Sequence, residues 1–162
     1  MTPEESLVAT ALDSWKINLG RADALFSALD DAGLQAEVAP GRNRLIYLWG
    51  HLIAVHDSML PLLGIGPRLH AELDAAFLTG ADRTVAELPS ASELKRLWDE
   101  VNGALLAGFA RFGAAEWADR HTVVSAEDFA KNPLRNRLAV LLSRTGHIAY
   151  HLGQARLVGH AD

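Results

Sequence analysis

The sequence predicts an all-α protein: a four-helix bundle in one domain spanning residues 1–162. Apolar residues recur at helical spacing in four long segments, and capping residues, glycines and prolines punctuate the chain between them. The two-residue alternation of a half-buried strand is almost absent. Together these features describe a helical bundle with three connections of unequal length.

The first segment opens with Thr2-Pro3-Glu4-Glu5. Thr2 suits the N-cap, Pro3 the first helical position, and Glu5 the closing half of a capping box. Leu7, Ala11, Trp15, Leu19, Leu25 and Leu29 then keep a helical rhythm up to Gly33, with Gly20 a weak point inside the run. After Pro40-Gly41, the stretch NRLIYLWGHLIAVHDSMLPLL predicts a second helix stopping near Gly64. Leu45, Leu48, Trp49, Leu52, Met59 and Leu63 line one side of it, and Pro61 falls in its last turn.

Residues 65–89 are less regular, with a short helix expected in PRLHAELDAAFL before Thr79-Gly80. Ser90 and Glu93 form a second capping-box pattern, opening a third long helix through Leu94, Trp98, Val101, Leu105 and Phe109 to near Gly113. A polar connection, 114–132, carries Trp117 and His121. Asn132-Pro133 reads as the cap and first residue of the last helix, which runs through Leu134, Leu138, Leu141, Leu142, Ile148 and Leu152 to Gly159. No internal repeat, low-complexity tract or second domain is evident.

Composition narrows the function classes. About half of the 162 residues are apolar (49%), 22% are charged, and the net charge is −5 without a lysine- or arginine-rich block. Nucleic acid and anionic membranes are therefore poor partners, and no segment has the length of a membrane span. The chain has no cysteine. Disulfides, thiolate zinc sites and a cysteine nucleophile are excluded, so any metal must be held by nitrogen and oxygen. The opening residues lack the pattern of a signal peptide, and a cytoplasmic location is expected.

Seven histidines remain as the chemistry-bearing residues. His147 and His151, in RTGHIAYHLGQARLV, stand one helical turn apart, with Cβ atoms about 5–6 Å from each other, close enough to share a metal ion. Seven histidines placed at random would give on the order of 0.3 such pairs, so spacing alone is weak. By helical rotation both lie on one flank of the last helix, beside Val140 and Val158, off an apolar arc centred on Leu134, Leu138, Leu141 and Leu152. His51 falls on a similar flank of the second helix, near Val55 and Leu62. His56 points into that helix's apolar face with Leu45, Leu52 and Met59. It reads as a core histidine holding one or two hydrogen bonds, yet it also competes for the place of third ligand or supporting group. His70, His121 and His160 read as surface residues. Ile148 stands where an H-E-x-x-H metalloprotease carries its general base, and no G-x-S-x-G elbow is present, which disfavours peptidase and serine-hydrolase chemistry.

The segments NRLIYLWGHL, LPLLG and GHIAYHLGQARL resemble the DinB-like superfamily, the DinB/YfiT-like four-helix-bundle metalloenzymes. The resemblance spans essentially the whole chain in helix order, and its specific parts are G-H-L on the second helix and H-x-x-x-H-x-G-Q on the last. It implies that His51, His147 and His151 are the metal ligands, so that His51 is selected over His56. Gln154 matches the motif's glutamine and would orient a ligand or bound water. Asp57, Tyr47 and His56 are accessory candidates, each also explicable as structural.

Three neutral imidazoles leave a divalent ion its charge and an open position, suited to lowering the pKa of bound water or thiol. Zinc fits best, with nickel, iron and manganese as alternatives. The resemblance further implies transfer or isomerisation chemistry with a low-molecular-weight thiol, a small-molecule substrate, and a homodimer. The functional expectation is a metal-dependent thiol S-transferase or hydrolase. A non-catalytic stress-associated or structural bundle, binding metal incidentally or not at all, is the competing reading.

Overall fold

A computed structural model describes residues 1–158, and the described residues are helical without a single strand. Four long helices dominate: α1 (Pro3–Phe26), α2 (Leu45–Leu62), α4 (Ala91–Phe109) and α7 (Arg137–Arg156). Three short ones, α3 (Asp74–Phe77), α5 (Ala114–Trp117) and α6 (Ala126–Lys131), sit in the connections. Helix α1 packs along α7 and α2 along α4, while α2 also touches α7. The pairs meet around Trp15, His56, Trp98 and Phe109, with Trp15 against both His56 and Phe109.

The caps explain where helices begin. Thr2 Oγ1 accepts from Glu5 N at 3.2 Å and Thr2 N donates to Glu5 Oε2 at 2.7 Å, completing the first capping box. Ser90 caps α4 through Glu93 N, but the Glu93 carboxylate turns to Arg96 and leaves the second box half made. Helix α2 ends as expected: Gly64 takes a φ of 72° and Ile65 N reaches back to Leu60 O.

Several boundaries differ from the sequence expectation. Helix α1 stops at Phe26 rather than Gly33, because Asp30 and Asp31 use their side chains on the backbone N–H groups of Gly33 and Ala91. Helix α7 begins at Arg137, not Pro133. Asn136, rather than Asn132, caps Ala139 N, and Arg137 N is already tied to Asp119 O. Leu134 therefore lies outside the helix and is exposed; Leu142, within α7, and Leu7, within α1, are exposed too. The buried arc of α7 is instead Leu141, Thr145, Ile148, Leu152 and Ala155. The 114–132 connection folds into α5 and α6, and Trp117 is fully buried in the core. His160 and the expected stop at Gly159 lie outside the described residues.

Candidate metal centre

Helices α2 and α7 run side by side in opposite directions, with Arg137 at the start of α7 donating to Leu63 O at the end of α2. His51, near the start of α2, thereby comes opposite His147 and His151, near the end of α7. The one-turn spacing aims both α7 imidazoles at the same point. His147 Nε2 lies 3.2 Å from His51 Nε2 and 3.0 Å from His151 Nε2, and the three rings form a cluster able to hold an ion. A tetrahedral ion bound at 2.0–2.1 Å separates its nitrogens by about 3.3–3.4 Å, close to this spacing.

Two hydrogen bonds fix which nitrogens face inward. His51 Nδ1–H donates to Phe77 O at 2.7 Å, and His151 Nδ1–H donates to Gln154 Oε1 at 2.7 Å. Both acceptors are oxygens, so the neutral rings must present unprotonated Nε2 atoms to the cluster. His147 Nδ1 is shut off from solvent without a partner among the described residues. Whatever tautomer His147 adopts, its single proton satisfies at most one neighbour and lone pairs are left facing one another. A cation resolves that arrangement, and the donor set fits a borderline divalent ion such as zinc.

Burial also keeps the two α7 rings neutral. It pushes the His147 pKa down to about 4, aided by the neighbouring histidines and Arg144, and it lowers His151 against the pull of Gln154. Neutral imidazole is the form that ligates metal.

The accessory candidates separate. Gln154 joins the site through His151. Tyr47 stacks parallel to the His51 ring at 6.1 Å and gives its hydroxyl to Gly80 O, so it supports the ring from outside the cluster. His56 points away into the core, fully buried, its Nδ1–H on Asn102 Oδ1 at 2.8 Å and its Nε2 without a partner among the described residues. Asp57 is also fully buried and receives Leu69 N, His70 N and Arg68 Nε, which anchors the loop after α2. Neither belongs to the cluster. His70 is not a surface group: its imidazole is 12% exposed between Glu72 and Glu100. His121 is half-buried, with Nδ1 covered.

Phe77 escaped sequence reasoning because its contribution is a backbone carbonyl. The available signal was Gly50, immediately before His51. A Cβ there would overlap the Phe77 ring, so glycine is what lets α3 close onto α2.

A DinB superfamily family model matches residues 15–155. The chain belongs to the DinB superfamily. The match takes in all three histidines and Gln154, so the cluster lies within the DinB domain itself. A search of curated proteins finds no match. Among the described residues of this DinB chain, no helix is long and apolar enough to cross a membrane.

Proposed function

We propose that this DinB-superfamily chain is a divalent-metal-dependent enzyme in which His51, His147 and His151 hold the ion. A low-molecular-weight thiol, or water, would be activated there against a small electrophilic substrate. The convergence of three Nε2 atoms, two of them fixed as acceptors by Phe77 O and Gln154 Oε1, carries the reading. When bound, such an ion supplies Lewis acidity and lowers the pKa of a thiol or water in its open position.

The chain's own part is positioning. Phe77 O and Gln154 Oε1 orient two imidazoles, and burial keeps the α7 rings deprotonated. Without cysteine, any thiol must come from solution. The reading includes zinc as first choice of ion, a cytoplasmic location and a homodimer, for which α7 offers exposed Leu142 and Tyr150 and its C-cap offers Leu157.

Metal content decides between this reading and a non-catalytic bundle. Untagged protein offered zinc or nickel should retain about one equivalent by mass spectrometry, and His147→Ala and His151→Ala should lose it. Wild-type protein without stoichiometric metal would leave the structural bundle standing. A thiol screen with an electrophilic aromatic substrate then tests turnover.

A further inference from the structure

Below the histidine cluster, a cleft of about 330 Å³ opens between the end of α2, the loop after α5 and the first turns of α7. Leu62, His121, Arg135, Val140, Ser143 and Arg144 contribute to its lining, and among the described residues no acidic one does. Arg144 stands three residues before His147, hence one turn away on the same side of α7. Its Nε is shut off from solvent without a partner, and no carboxylate pairs with its guanidinium among the described residues. Arg44 and Arg68, by contrast, are locked onto Asp82 and onto Asp57 and Asp74. Burial lowers the Arg144 pKa with nothing opposing it, and its charge bears on both His147 and His56.

A half-buried, unpaired guanidinium is costly to keep, and its five donors suit a planar carboxylate. The remaining lining reinforces that sign. His121 is held neutral by burial and Arg135, leaving it one ring N–H to donate. The first turn of α7 contains no acidic residue, so its positive dipole end also favours an anion. Leu62 and Val140 add an apolar wall.

We infer that this cleft is a carboxylate-binding subsite, in which Arg144, helped by Arg135 and His121, holds the acid group of an apolar-bodied reactant one helical turn from His147. The inference rests on the metal-centre reading for the ligand's role as reactant, but not for its binding. Either the thiol or the electrophile could bring the carboxylate.

Calorimetric titration of metal-stripped protein with hexanoate tests the subsite, with hexanamide as the neutral control. Hexanoate should bind wild type at least tenfold more tightly than Arg144→Gln, and several-fold more tightly than Arg135→Gln, while hexanamide discriminates among none of them. The Arg144→Gln midpoint of thermal unfolding should not fall, which separates lost binding from lost folding. Glutathione displacing hexanoate would assign the carboxylate to the thiol, displacement by a carboxylate-bearing electrophile and not by glutathione would assign it to the electrophile, and both results support the subsite. Equal hexanoate binding by wild type and Arg144→Gln, or none by wild type, overturns it. Zinc retention measured on parallel samples keeps the readings apart. Zinc without hexanoate binding removes only the subsite, and hexanoate binding without zinc removes only the metal centre.

Discussion

The ring of Phe77 occupies the space that a side chain on Gly50 would fill, and this approach brings Phe77 O to 2.7 Å from His51 Nδ1. A residue with no side chain on α2 thus controls the proton on its neighbour. The coupling runs from backbone permissiveness through packing to the availability of His51 Nε2.

Gly50→Ala should break that coupling. Forcing a methyl into a filled core costs about 1–3 kcal/mol, readable as a shift in denaturant midpoint. Displacing Phe77 should also weaken zinc affinity by roughly tenfold, the lower end for a lost outer hydrogen bond to a ligand. Unchanged zinc affinity in competition with a chromophoric chelator would show that the carbonyl does not orient His51.

Gln154 offers a gentler test of the same principle. It is half-buried on the last turns of α7, so Gln154→Ala should leave stability within about 0.5 kcal/mol, as for a change away from the core. Zinc affinity should nevertheless fall about 10–100-fold. Gln154→Glu, which keeps an oxygen for His151 Nδ1–H, should restore most of it.

His56 predicts an acid-sensitive fold. Burial pushes its pKa from 6.5 down to about 3, only partly offset by the bond to Asn102. The unfolded chain therefore binds a proton first as pH falls, and the stability contribution is fully present above about 6.5. It is lost progressively as pH drops towards about 3, with a span of order 5 kcal/mol. His147 and His151, also lowered, act with the same sign in metal-free protein. Urea unfolding of His56→Gln between pH 7 and 4 should show a shallower decline than wild type; parallel curves would remove His56 as the cause.

Asp57 should matter to folding and not to metal. Asp57→Ala takes the acceptor from Arg68 Nε and from the Leu69 and His70 N–H groups, while Arg68 keeps Asp74. Each buried donor left unsatisfied costs about 1–3 kcal/mol. Zinc affinity of the protein that remains folded should match wild type. A selective loss of metal would return Asp57 to the site.

How much was legible beforehand follows from the range of each signal. Caps and one-turn spacings are local, so Thr2, Ser90, the Gly64 stop and the His147–His151 pair could be read along the chain. The local cap signal at Asn132 was misleading, and the contact of Arg137 N with Asp119 O places the helix start after Asn136 instead. A helical wheel likewise placed His56 in the core and His51 on a flank, but it could not bring His51 to α7.

The sequence by itself determined the helical class, the bundle, and the paired histidines of α7, because helical periodicity and capping act over a few residues. The family motif implied that His51 joins that pair and that Gln154 orients a ligand. Only the tertiary structure decided how the three rings meet, that Phe77 O and Gln154 Oε1 set the tautomers, and that Arg144 lies without a carboxylate among the described residues. Those facts depend on which helices pack together and in what register. They involve backbone carbonyls and missing partners, for which a residue pattern carries at most an indirect signal such as Gly50.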